Sequence, residues 1–138
     1  MEYVVKGKDI IIRLNKGEEV ISSLLALIES LDIKCGRVSG IGATNNVTIG
    51  VFNADKKEYK KKNICEDMEI LSLEGNLTRM DGNPYVHVHG TFASLDQVYG
   101  GHVNSIMVSA TAEIIVNIID VEIDRKFDEE TGLNLIKL

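Results

Sequence analysis

Residues 112–125 read Ala-Glu-Ile-Ile-Val-Asn-Ile-Ile-Asp-Val-Glu-Ile-Asp-Arg, and this run decides the fold class. Isoleucine and valine make up half of it, and such β-branched side chains favour strands over helices. The run is also long enough to cross a whole sheet. We therefore predict a long central strand over Ala112–Arg125, with a bend near Asp120.

Shorter strands are predicted before this run, where β-branched segments alternate with turn signals. The clearest of these signals are Gly7-Lys8-Asp9, Gly42-Ala43-Thr44-Asn45 and Asp81-Gly82. The predicted strands are Glu2–Lys6, Ile10–Leu14, Cys35–Ile41, Asn46–Asn53, Met68–Leu77, Tyr85–Phe92 and Tyr99–Val108.

One segment, Glu18–Leu31, has the periodicity of a helix instead. Its apolar residues recur at three- and four-residue spacing and form a single stripe. Glu18 and Glu19 fall in the first turn, where the helix dipole favours negative charge. One main helix packed on a mostly antiparallel sheet predicts a compact α+β fold. The length of 138 residues, without a linker, predicts a single domain over residues 1–138.

Composition narrows the class of protein. Hydrophobic residues make up 44% of the chain and aromatic residues only 5%, so we expect a globular protein with an aliphatic core. The net charge of −6 counts against broad nucleic-acid binding, which needs a positive surface.

Cys35 and Cys65 lack motif spacing and are predicted to be free thiols. No signal-like segment and no run of apolar residues as long as a membrane span occurs, which predicts a cytoplasmic protein.

The three histidines of the chain lie close together in the sequence. His87 and His89 are two residues apart on a predicted strand, so both rings point to the same face. His102 follows the Gly100-Gly101 pair, where the backbone can pass close to whatever the rings hold. Neutral imidazole is the commonest side-chain ligand of first-row metals. Three such ligands leave a fourth zinc position open, so we predict a site for zinc or another divalent transition metal.

Two further residues are candidates for chemistry at that site. Glu113 lies in an apolar strand, where a carboxylate is costly to bury unless it is paired or bound. It could be a general base, a fourth ligand, an acceptor that orients an imidazole, or one half of a core or intersubunit salt bridge. Arg37 follows Cys35-Gly36 and could bind an anionic group of a small-molecule ligand beside the metal.

Other charged residues are assigned to the surface. Five lysines fall between Lys56 and Lys62, and they could contact phosphates, with Tyr59 available for stacking. We favour a solvated hairpin or edge strand that lysine protects from aggregation. Arg79 flanks a turn and is predicted to be solvated. Gly40-Ile41-Gly42-Ala43 lacks the remainder of a dinucleotide-binding fingerprint and is predicted to be a strand-end turn.

Several motifs together resemble the PPC (plants and prokaryotes conserved) domain. Tyr85-Val86-His87-Val88-His89-Gly90, Gly100-Gly101-His102-Val103 and Thr111-Ala112-Glu113-Ile114-Ile115-Val116 are similar to that family in order and spacing. Ser39–Ala43 and Glu69–Gly75 resemble its earlier motifs. The resemblance covers about residues 1–125.

The resemblance implies an α+β domain, a homotrimer, and a three-histidine metal site at His87, His89 and His102. Plant members join the domain to an AT-hook, an Arg-Gly-Arg type segment that binds A·T-rich DNA. No such segment occurs in this chain, so it resembles the stand-alone prokaryotic type. Glu66-Asp67-Met68 also stands where the plant partner-recruiting motif has Gly-Arg-Phe.

Three functions stay open on the sequence. The first is a metal-containing homotrimer with a regulatory or DNA-associated role that is not enzymatic. The second is a zinc enzyme for a small oxo or hydroxy acid, because the fold resembles that of acetolactate decarboxylase and a metal with an open position can polarise a carbonyl. The third is direct DNA binding through Lys56–Lys62.

Overall fold

The computed structural model describes residues 1–138 and contains one seven-stranded sheet, one helix and a small hairpin. The strand order in the sheet is β1-β2-β7-β6-β5-β3-β4, and every strand pairing is antiparallel. The predicted α+β class is confirmed. The elements are β1 Glu2–Lys6, β2 Asp9–Asn15, α1 Val20–Ser30, β3 Gly36–Asn53, β4 Glu58–Ile64, β5 Met68–Met80, β6 Asn83–Ala93, β7 Val98–Ile118, β8 Arg125–Asp128 and β9 Leu133–Ile136.

The two longest strands, β3 and β7, pair with each other along most of their length. They also close the sheet on itself, because β3 pairs with β5 and β7 pairs with β6. The prediction of a turn at residues 42–45 was wrong, since β3 continues through them with register shifts on either side of Thr44. The Thr44 hydroxyl donates to the Met107 carbonyl at 2.7 Å, which links β3 to β7 at these register shifts.

The predicted strand Ala112–Arg125 was correct only in its first half. β7 starts before it, at Val98, and ends at Ile118. Its neighbours explain the end: β2 starts at Asp9, opposite Asn117, and β3 starts at Gly36, opposite Ile118. Beyond that point no strand offers backbone partners, so the chain leaves the sheet and forms the β8–β9 hairpin, which the sequence did not predict.

Helix α1 packs its apolar stripe against the sheet. Glu19 is its N-cap, and its carboxylate accepts hydrogen bonds from the backbone N–H groups of Ile21 and Ser22. The same carboxylate accepts from the backbone N–H of Ile106, which fixes the helix start to β7. The core cluster contains 24 buried residues, and Phe92 is its only aromatic member, as the composition predicts.

Arg79 is not solvated, contrary to the prediction. The residue is only 7% exposed, and its guanidinium donates to Glu29 and Asp32 and to the backbone carbonyls of Ile28, Ile33 and Gly82. It therefore ties β5 to the C-terminal end of α1, a contact between residues about fifty positions apart that no local pattern shows.

Two smaller expectations can be compared with the structure. The lysine-rich segment is β4, which lies at the edge of the sheet, as predicted. Cys35 and Cys65 are both free, the first buried and the second exposed.

The only helix is neither long nor apolar enough to cross a bilayer.

Candidate metal centre

The sheet brings the three histidines together. His87 and His89 lie on one face of β6, and His102 on β7 is the direct cross-strand partner of His89. One ligating nitrogen from each ring lies within 4.8 Å of the other two. The ring centroids are 5.2 Å apart for His87 and His89, 5.2 Å for His87 and His102, and 5.6 Å for His89 and His102.

The glycine before His102 has a packing role that differs from the one we expected. A Cβ at Gly101 would stand 2.8 Å from the backbone oxygen of Gly50, so the absent side chain lets β7 approach β3. Gly101 therefore makes room for a neighbouring strand. The next residue, His102, is the direct cross-strand partner of Gly50, so this close approach places the backbone of His102 against β3.

Burial favours the neutral, metal-ligating form of two of the histidines, His102 and His87. Burial first, and then the nearby His87, His89 and Lys61, lower the pKa of His102 to about 4. The pKa of His87 is also lowered, first by burial and then by Arg125 and His89. At neutral pH these two rings carry no charge and each keeps a free lone pair.

One buried nitrogen of the cluster has no partner within the protein. Nδ1 of His102 is buried and makes no hydrogen bond. Because a buried polar atom without a partner costs about 1–3 kcal/mol, its presence calls for an explanation. Three convergent imidazoles, one of them with such an atom, fit a first-row divalent metal.

A cavity of about 650 Å³ opens beside the cluster, within the range of small-molecule sites. His87 and His102 form part of its wall. Tyr59 of β4 adds a ring 4.9 Å from that of His102. The rest of the wall comes from Asn76, Tyr85, Arg125, Phe127, Gly132, Leu133, Asn134, Leu135 and Ile136, most of them in the β8–β9 hairpin.

Arg125 is the charged residue of this cavity, and the sequence analysis did not single it out. It is only 4% exposed, at the start of β8, and its guanidinium donates to Thr78 Oγ1 and to the Asn134 carbonyl, each at 2.8 Å. A third hydrogen bond runs to Asn76 Oδ1 at 2.5 Å. The only signal in the sequence is an arginine that ends an apolar run, and that pattern predicts a strand residue.

Arg37 and Glu113, the two catalytic candidates, lie elsewhere. Neither lines the histidine cavity. Arg37 is exposed and forms an ion pair at 3.2 Å with Glu74, which is the cross-strand neighbour of His89. Glu113 is exposed beside a separate depression of about 360 Å³. Within one chain, the structure does not bring either residue to the histidine rings.

Comparisons with known proteins identify a family and its solved structures. The model of the Plants and Prokaryotes Conserved (PCC) domain matches residues 1–120. No curated protein sequence matches the chain.

Three solved structures are similar over nearly the whole chain. A "putative DNA-binding protein" from Bacteroides thetaiotaomicron is 31% identical with a TM-score of 0.95, over 99% of this chain and 96% of that one. A metal-containing protein from Archaeoglobus fulgidus is 36% identical with a TM-score of 0.87, over 97% and 95%. A plant- and prokaryote-conserved protein from Pyrococcus horikoshii is 31% identical with a TM-score of 0.88, over 99% and 95%.

A more distant structure bears on the enzyme alternative. A Staphylococcus aureus protein of unknown function, described as similar to alpha-acetolactate decarboxylase, is 15% identical with a TM-score of 0.61. The match covers 83% of this chain and 53% of the Staphylococcus aureus chain. At this identity the likeness concerns the fold alone.

Proposed function

Because the chain belongs to the Plants and Prokaryotes Conserved domain family, we propose that it is a metal-binding member whose site is formed by His87, His89 and His102. The observation that carries this proposal is the convergence of one nitrogen from each ring within 4.8 Å. The family relationship adds support, since the similar protein from Archaeoglobus fulgidus is described as metal-containing.

The metal of the proposal is zinc, with other divalent transition metals as competitors. Three imidazoles without a thiolate suit zinc, nickel, cobalt and copper. A zinc ion held by three protein ligands has one further position for water or for an exogenous ligand, and it acts there as a Lewis acid. The chain's own residues set the surroundings of that position, namely the cavity with Tyr59, Tyr85 and Arg125 in its wall.

The metal proposal can be tested by elemental analysis of the untagged protein. We expect about one equivalent of a transition metal in the parent and almost none in a His87→Ala/His89→Ala variant, because the remaining single imidazole cannot hold the ion. Thr91→Ala is a matched control, since it changes the same strand outside the cluster. A parent without metal after reconstitution, or a double variant that retains it, would reject the proposal.

The second part of the proposal is a homotrimer in the cytoplasm. Four exposed apolar side chains lie around the depression beside Glu113, and an apolar patch of this kind is typical of an association surface. They are Ile11, Ile41, Leu71 and Ile115. The expected measurement is a trimeric mass by light scattering, and a monomeric mass for the parent would contradict this part.

Ile115→Asp tests whether this patch is the interface. A carboxylate in the middle of an apolar contact is costly to desolvate, so we expect the variant to dissociate. Leu138→Asp is the control, because it adds the same charge at the exposed C-terminus.

The role of the trimer is regulatory or DNA-associated in our proposal. The name of the Bacteroides relative supports this assignment, and three copies of β4 would present a repeated lysine surface. The net charge of −6 and the missing AT-hook limit it to local contacts. If the protein binds DNA, the affinity should fall steeply as salt is added and when Lys60–Lys62 are replaced by alanine. Absent or salt-independent binding would exclude a DNA-associated role.

The cavity favours a second candidate function. A metal with an open position beside a small-molecule cavity also suits a zinc enzyme that acts on a small oxo or hydroxy acid. The two catalytic candidates named from the sequence could reach this cavity only from another subunit, because neither lines it within one chain. This alternative would be favoured if the zinc-loaded trimer turned over such an acid and the double histidine variant did not.

A further inference from the structure

The wall of the histidine cavity contains a buried positive charge that no carboxylate balances. Arg125 takes part in none of the ion pairs of the structure. Its three acceptors are a hydroxyl, a side-chain amide oxygen and a backbone carbonyl, and all three are neutral. Guanidinium stays protonated in proteins, so the charge is present at every accessible pH. Buried charges are normally paired, and this one lacks a partner within the chain.

The guanidinium also has free hydrogen-bonding capacity. It carries five N–H groups, and the three protein acceptors use one each from Nε, Nη1 and Nη2. One N–H on each Nη therefore remains. The ring of Tyr85 lies 4.6 Å from the guanidinium carbon and holds the group in place. A fixed guanidinium with two free N–H groups is suited to a carboxylate or a phosphate.

The strand register places this charge next to the histidines. Asn76, which accepts from Arg125, is the direct cross-strand partner of His87. Arg125 and His87 also share the cavity wall, and Arg125 contributes to the lowered pKa of His87. An anion bound to Arg125 would therefore lie beside the metal position.

The remainder of the wall indicates what else the ligand contains. The β8–β9 hairpin contributes Phe127, Leu133, Leu135 and Ile136 to the same cavity. Inorganic phosphate has no surface that these apolar side chains could bury, whereas a short hydrocarbon chain does.

From these observations we propose that the cavity binds a small organic carboxylate, with its carboxylate group on Arg125 and its carbon chain against the hairpin. The proposal deepens the metal-binding function and rests on it, because the ligand would lie beside the histidine-bound metal. It also assigns recognition to a hairpin outside residues 1–120, the part that matches the family. Relatives with other hairpin sequences are then expected to bind other acids.

Calorimetric titration of the metal-loaded full-length protein with isovalerate tests the proposal. Isovaleramide has the same shape without the charge, acetate lacks the chain, and inorganic phosphate lacks the carbon. We expect isovalerate to bind at least about tenfold more tightly than each of the other three, because only isovalerate satisfies both the charge and the apolar wall.

Variants separate the contribution of Arg125 from that of the metal. Arg125→Met is expected to weaken isovalerate binding about tenfold to a hundredfold and to leave the metal content unchanged. Arg13→Met is the matched control, because Arg13 is exposed and outside the cavity. If Arg125→Met does not fold, Leu133→Asp provides a second test: it adds a negative charge to the wall and keeps every hydrogen bond of Arg125. Leu133→Asn, its neutral counterpart, is expected to bind isovalerate more tightly than Leu133→Asp.

The outcomes distinguish the two proposals. A parent that holds no metal rejects the proposed function. A parent that holds metal but binds isovalerate no better than isovaleramide rejects the carboxylate site alone. The carboxylate site would also be rejected if phosphate bound more tightly than isovalerate. It would be rejected as well if both Arg125→Met and Leu133→Asp still bound isovalerate as the parent does.

Discussion

Two arginines are almost equally buried in this protein, yet their surroundings differ in charge. Arg79 is 7% exposed and forms ion pairs with Glu29 at 3.0 Å and Asp32 at 3.2 Å. Arg125 is 4% exposed and has only neutral acceptors. The first charge is neutralised within the fold, so its role is structural. The second is left unbalanced in a cavity wall, which is the arrangement expected of a ligand-binding group.

The Arg79 site stabilises the end of helix α1. The last carbonyls of a helix lack partners within it, and they form the negative end of the helix dipole. Arg79 donates to the Ile28 carbonyl, in the last turn of α1, and to the Ile33 carbonyl just beyond it. A positive charge in this position replaces the basic residues that the last turn of α1 lacks.

The largest effect in this comparison is expected for Arg79→Met. The variant loses five hydrogen bonds at once, two of them to buried backbone carbonyls, so the free energy of unfolding should fall by about 3 kcal/mol. Urea unfolding measures the change. Arg13→Met, which removes an exposed ion pair, should cost less than about 1 kcal/mol. Equal losses in the two variants would mean that Arg79 does not hold the helix end.

A smaller loss of stability is expected for Arg125→Met. It removes three hydrogen bonds but leaves no carboxylate unpaired, and it relieves the desolvation of the charge. We expect a cost of about 1–2 kcal/mol in urea unfolding without ligand, clearly below that of Arg79→Met. A cost above that of Arg79→Met would show that Arg125 is chiefly structural and would weaken the contrast between the two sites.

The smallest effect is expected when the acidic partners of Arg79 are changed and the arginine is kept. Glu29→Gln/Asp32→Asn removes two carboxylates that are themselves largely exposed, so the cost should be about 1 kcal/mol or less. Glu74→Gln, which affects the exposed Arg37 pair, is the control. A loss as large as that of Arg79→Met would mean that the ion pairs, and not the bonds to the helix carbonyls, stabilise this region.

The same contrast shows what could be predicted from the sequence. The histidine cluster follows from local rules, since His87 and His89 share a strand face and His102 lies on the next strand. Helix α1 and the edge strand β4 follow from periodicity and from lysine content. These features depend on neighbours in the chain, which a single sequence displays directly.

The missed features depend on contacts between distant residues. Arg79 is buried by a helix about fifty residues earlier, and Arg125 by Asn76 and Thr78 about as far away. The continuity of β3 through its glycines depends on β7, including the bond between Thr44 and Met107. Arg79 flanks a turn and Arg125 ends a predicted strand, and neither position in the sequence indicates burial or a charge partner, so only the tertiary structure distinguishes the two arginines.

The measurement that tests the central claim most directly is anomalous X-ray scattering from crystals of the zinc-loaded protein, recorded at the zinc edge. The account predicts one strong peak per chain, about 2.0–2.1 Å from a nitrogen of each of His87, His89 and His102. A peak bound by other residues, or no peak at the three histidines despite full zinc loading, would contradict it.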